Sequence, residues 1–245
     1  MKSRLVGALA GLTTAALLAT GCAGQKDEGA TFEEPAAAPK GNGVEALEGA
    51  QILEKAKAAL AQSKSFHLKG SMKAEEGKIG LDFKVAGEEV LGTMSLDGPR
   101  VKLLAVDGKK YIKPDAAFWK MTGGEQGPAV AQLIGDRWVL VKASDKSFES
   151  MFTITDIGEL LDADGPVTKG ATKDIDGKPA IGLTDGGADS DGTLYVATTG
   201  EPLPLKLEGP TPADGALTFS EYGETFADIK APAAADVVDL DKLKK

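Results

Sequence analysis

The stretch SFHLKGSMKAEEGKIGLDFKV, Ser65 to Val85, decides the fold. Phe66, Leu68 and Met72 alternate with His67, Lys69, Ser71 and Lys73. After an acidic, glycine-containing break, Ile79, Leu81, Phe83 and Val85 alternate with Lys78, Asp82 and Lys84. A period of two is that of a strand with one face in a core and the other in water. Similar runs return near Val90–Leu96, Val101–Val106, Lys110–Lys113, Trp138–Val141, Ala180–Leu183, Leu194–Thr198, Leu203–Leu207, Ala216–Ser220 and Thr225–Ile229. Glycine follows Asp97, Asp107, Asp164, Asp176, Asp185, Asp191 and Asp214. Both positions of Asp-Gly tolerate positive φ, which suits tight hairpins. Many strands joined by tight turns predict an antiparallel meander rather than a parallel βαβ sheet.

On either side the period changes. Ile52, Leu53, Ala56, Ala59 and Leu60 recur at three- and four-residue steps, which predicts a helix over Glu48–Lys64 with one apolar stripe. Gln126–Ile134 reads as a short helix. Between Lys142 and Gly165, Phe148, Met151, Phe152, Ile154, Ile157, Leu160 and Leu161 form a broad apolar surface at helical spacing. The fold class is therefore α+β: a curved antiparallel sheet whose apolar face is covered by a few helices, in a single domain over 49–245. A curved sheet under few helices can enclose an apolar interior. The 5% aromatic content and 31 glycines fit a sheet with room inside, and the periodicity fits a filled core equally.

The chain carries 37 acidic and 28 basic residues in 245, a formal charge of −9. With only Arg4, Arg100 and Arg137 as arginines, it is not built as a nucleic-acid binder. Lys2 and Arg4 precede an uncharged run from Leu5 to Thr20, a leader-like segment for residues 1–21. The run ends Leu18-Ala19-Thr20-Gly21-Cys22, which resembles a bacterial lipobox with Ala19 where leucine is usual. Cys22 is the single cysteine and the expected lipid anchor; two acyl chains on it give stable attachment. From there to residue 48 the chain is rich in Pro, Gly, Ala and charge, and reads as a disordered tether.

Little in the sequence points to catalysis. His67 is the single histidine and sits on the polar side of a strand, where it reads as a surface residue. Asp185, Asp189 and Asp191 look like a loose calcium loop but lack the closing glutamate, so they read as a solvated turn. Neither a Gly-x-Ser-x-Gly elbow nor a phosphate loop occurs. Trp119 and Trp138 read as structural, and Pro202 and Pro204 as marks of an edge strand or a turn. No metal and no cofactor is expected. The binding candidates are Phe148, Met151, Phe152, Ile157, Leu160 and Leu161, a set that would serve equally as an ordinary helix–sheet contact.

The order of several short motifs carries a resemblance. Ser65-Phe66-His67-Leu68 follows the amphipathic helix, and Tyr111-Ile112-Lys113 precedes Trp119. Arg137-Trp138-Val139 precedes the middle apolar segment. Leu194-Tyr195-Val196 leads into Gly200-Glu201-Pro202-Leu203-Pro204. Phe219-Ser220-Glu221-Tyr222-Gly223, Ala231-Pro232 and Asp236-Val237-Val238-Asp239-Leu240 close the chain. From about residue 50 to 240 the chain resembles the LppX/LprAFG lipoproteins of actinobacteria, relatives of the LolA/LolB carriers. The resemblance implies a half-barrel with helices over its concave face and a hydrophobic cavity between. It also implies non-covalent binding of a lipid or acylated glycolipid, for carriage or retention at the outer face of the membrane. The expected partners are that lipid, the membrane through the anchor, and a membrane exporter; the chain is expected to be a monomer and not an enzyme. The alternative from another class is a surface interaction or sensor protein with a filled core and no cargo.

Overall fold

The computed structural model describes residues 40–74, 77–142, 144–149, 151–152, 161–187 and 192–243. Cys22, the leader, Ile154, Ile157 and Leu160 lie outside the described residues.

Helix α1, Gly49–Gln62, starts where Gln51 Oε1 accepts the Glu48 backbone N–H at 3.1 Å. It ends with Lys64 in the left-handed region at φ 64°. Its stripe of Ile52, Leu53, Ala56, Ala59 and Leu60 is buried, as the spacing predicts. Five antiparallel pairings then link β1 (Ser65–Ala74), β2 (Gly77–Ala86), β3 (Glu89–Leu96), β4 (Arg100–Val106), β5 (Lys109–Pro114) and β6 (Trp138–Val141) in succession. A second meander comprises β7 (Val167–Ile175), β8 (Lys178–Asp185), β9 (Thr193–Ala197), β10 (Pro204–Glu208) and β11 (Gly215–Ser220). Strand β1 pairs with β11, Leu68 facing Phe219, and this join splices the two meanders into one sheet. The short β12, Val237–Val238, adds to β6 in parallel, giving the order β12-β6-β5-β4-β3-β2-β1-β11-β10-β9-β8-β7. The sheet is curved and unclosed, with helices on its concave face. Of the Asp-Gly pairs, Asp97-Gly98, Asp107-Gly108 and Asp176-Gly177 hold positive φ at both positions as expected, whereas Asp214-Gly215 does so only at the glycine and Asp164-Gly165 and Asp185-Gly186 at neither.

The main core lies between that face and the helices. Leu68, Leu81, Phe83, Val101, Leu103, Ile112, Val139, Val196 and Phe219 meet Ile52, Leu53 and Ala56 of α1 and the buried residues of two further helices. Those helices are α2, Ala116–Gly123, and α3, Gly127–Ile134. Asp115 caps α2 by accepting the Phe118 N–H at 2.7 Å. Gly127 lets the two helices touch: a Cβ there would stand 2.2 Å from the Trp119 carbonyl oxygen. A fourth helical turn, α4, covers Lys146–Glu149.

Several expectations change. Residues just before 49 are not free chain: Val44 is buried and Asn42 donates to the carbonyls of Ala197 and Gly200 at 3.0 and 3.1 Å. Thr225–Ile229 is not a strand. It belongs to a strap across the opposite face, where Ile229 packs with Leu104, Val106, Tyr111 and Trp138. Two elements carry no sequence expectation: α2, and β7, whose Val167–Ile175 lacks alternation and is largely exposed at the sheet edge. Of the two readings of Pro202 and Pro204, the edge strand fails: Pro204 is the first residue of an interior strand at a register shift, and Pro202 lies in the connection before it. Glycine does not simply leave room inside either: the Phe83 ring occupies the space over Gly92, where a Cβ would lie 2.1 Å from the ring.

Candidate functional site

The registers carry several side chains to one rim of the sheet. Ser65 faces Ala86, Ala86 faces Glu89, Val90 faces Ala105, and Ala105 faces Lys110. The start of β1, the β2–β3 turn and the β4–β5 turn therefore share that rim. The C-terminal end of α1 comes down over it, fixed where the Gly87 N–H donates to the Lys64 carbonyl at 2.9 Å.

Between helix and rim lies a cavity of about 500 Å³. Roughly 300–1,000 Å³ is the usual range for a small-molecule site. Leu60, Phe66, Val85, Val90, Phe152 and Leu161 supply buried apolar walls, and Ala61, Gly87 and Ala105 complete them. Lys57, Lys64, Lys110 and Glu88 are the charged lining residues. Lys57 is engaged by Asp162 at 2.6 Å and by Glu54 at 3.7 Å. The Lys110 ammonium stands 5.3 Å from the centre of the Phe152 ring, a cation–π contact. The arrangement offers apolar enclosure with cations at its edge. Non-covalent binding of an amphiphile is what it can do chemically.

Of the residues named from sequence, Phe152 and Leu161 line this cavity. Phe148 and Met151 are half-buried and pack against the main core instead. Phe148 meets the Trp119 ring edge-on at 6.3 Å, a core contact. Ile157 and Leu160 lie outside the described residues, as does the anchor Cys22. Leu60, Phe66, Val85, Val90 and the lysines were missed as site residues. Their apolar periodicity marked them only as buried, because their convergence depends on strand register. The Trp119 Nε1–H is the one buried side-chain polar atom without a partner among the described residues.

The opposite face is built differently. His67 is not a plain surface residue: Nε2 lies 2.6 Å from Asp82 and Nδ1 lies 3.2 Å from Glu221 of the strap. Burial pushes the Asp82 carboxyl up, but hydrogen bonds from His67 and Lys69 outweigh it and hold the group below the ordinary value. A second hollow there is lined by Lys84, Glu221, Glu224, Thr225, Phe226, Ala227 and Asp228, mostly polar or charged. Asp185 accepts the backbone N–H groups of Asp164 and Gly187, so it holds a turn, while Asp189 and Asp191 lie outside the described residues. Among the described residues no cluster of three or more His, Cys, Asp or Glu could hold a metal, and no helix is long and apolar enough to cross a membrane.

A scan of protein-family models gives no match to this sequence, and a comparison with curated proteins gives none either. Solved structures do match. LprF from Mycobacterium bovis is similar with a TM-score of 0.46 at 12% identity, over 76% of this chain and 99% of that one. The lipoprotein LppX from Mycobacterium tuberculosis is similar at 0.44 and 17% identity, over 72% and 95%. An uncharacterized conserved protein from Thermus thermophilus is similar at 0.41 and 13% identity, over 78% and 98%.

Proposed function

We propose that this chain is a cell-envelope lipoprotein that binds a lipid or acylated molecule without reacting with it, for carriage or retention at the outer face of the membrane. The observation that carries the reading is the apolar cavity between the C-terminal end of α1 and the sheet rim, walled by Leu60, Phe66, Val85, Val90, Phe152 and Leu161. Each methylene moved from water into such a site contributes about 0.8 kcal/mol, so an acyl chain binds there without a polar anchor. Cys22 would carry the acyl chains that attach the protein, and catalysis plays no part.

Native mass spectrometry of the full chain, extracted from membranes of an actinobacterial host, tests this. An added mass that organic solvent releases as a lipid is the expected result. A clean protein mass that persists after incubation with envelope lipid extract would overturn it in favour of an interaction protein with a filled core.

A further inference from the structure

The charges at the cavity edge define the cargo more closely, on the reading that the cavity holds an amphiphile. The chain is acidic overall, at −9, yet three lysines and one glutamate line this cavity. Asp162 takes Lys57. Among the described residues neither Lys64 nor Lys110 is in an ion pair, and both line the apolar hollow, Lys110 with its ammonium 5.3 Å from the Phe152 ring centre. The Lys64 backbone is pinned by the Gly87 N–H, and Lys110 sits in the β4–β5–β6 ladder opposite Ala105 and Val141. Glu88 on the β2–β3 turn is the opposing charge at this edge.

We infer that the cavity selects an amphiphile with an anionic headgroup, phosphate or carboxylate, received between Lys64 and Lys110 while its tail lies against Phe66, Val85, Val90 and Leu161. Charge complementarity carries the inference: two lysines without carboxylate partners among the described residues line an apolar pocket, and a charge-assisted hydrogen bond to an anionic headgroup is roughly twice as strong as a neutral one. Lys110 over the Phe152 ring places one cation directly above an apolar wall, where headgroup and tail of one ligand would part.

The test is displacement of the uncharged fluorophore N-phenylnaphthylamine from the full chain in neutral detergent, by two lipids with the same tail. Palmitoyl lysophosphatidylglycerol is expected to displace it at a concentration about tenfold lower than monopalmitoylglycerol. That gap should narrow with added salt, which screens charges at a partly exposed edge. In a Lys64→Gln/Lys110→Gln variant the preference should fall to near parity. In Lys84→Gln, on the opposite face, it should persist. Equal potency of the two lipids on the wild type, or an unchanged preference in the double variant, overturns the anionic headgroup while leaving a lipid cavity standing. Displacement by neither lipid overturns the cavity reading and this inference together. Binding to phosphatidylglycerol vesicles without displacement by the lysophospholipid assigns the lysines to a membrane surface and also overturns it.

Discussion

The two ends of α1 meet the sheet in opposite ways. At the N-terminal end Gly49 lies on β7 so closely that a Cβ would stand 2.4 Å from the Val167 carbonyl oxygen. At the C-terminal end Leu60 and Ala61 look into a cavity of about 500 Å³. One helix is thus seated backbone on backbone at one end and held off the sheet at the other. The seated end fixes where the helix lies, and the open end supplies the space. Ile52, one turn in from the seated end, has no exposed surface, and its removal should be the costliest change. Ile52→Ala should lower stability by about 4 kcal/mol in urea unfolding, toward the upper part of the range for buried aliphatic truncations. A loss under about 1 kcal/mol would mean the seated end is no better packed than the open one.

Gly49→Ala sharpens the same comparison without removing any apolar group. The added methyl meets a carbonyl that cannot move without disturbing β7, so the helix must shift. A loss of about 2 kcal/mol is expected, within the usual cost of overpacking. At the open end Leu60→Ala should cost about 2 kcal/mol, less than Ile52→Ala, because its side chain already borders a void. The reverse change, Leu60→Trp, should keep the fold and weaken binding of an apolar fluorophore. Unchanged binding would remove Leu60 from the site.

Most of the first meander was legible in the sequence because alternation and Asp-Gly turns are local signals. Phe66 to Val106 shows both, and the strands follow. The join between β1 and β11 is not local: Leu68 and Phe219 are brought together by a pairing that no periodicity encodes. The cavity depends on that same kind of information. Val85, Val90 and Ala105 read as ordinary inward positions, and only the register places them at one rim. Phe152 and Leu161 could be named because they stand in a conspicuously apolar segment, but nothing local separated them from Phe148, which belongs to the core against Trp119. β7 escaped notice for the opposite reason: an exposed edge strand has no buried face to impose a pattern.

That edge strand is also what α1 is seated on, and its outer side is held by charge. Lys173 of β7 stands 4.9 Å from the Tyr195 ring centre on β9, and its ammonium meets Glu208 of β10 at 2.9 Å, where Lys206 also binds. Hydrogen bonds from Lys173 first and then Lys206 hold the Glu208 carboxyl below its ordinary value of 4.5. The folded protein therefore binds this proton less readily than the unfolded chain does. The resulting stability is complete above the unfolded value and drains away as the pH falls through the lower folded one. The pairs are partly exposed, so the effect stays below about 1 kcal/mol. Glu208→Gln should be slightly less stable than wild type at neutral pH and should converge with it at the acid end of a urea-unfolding series. Ile52→Ala carries no titrating group and should keep the same deficit throughout. If the Glu208→Gln deficit also stayed constant with pH, the carboxylate would be acting by shape alone, and the seated end would owe nothing to the charges across its edge.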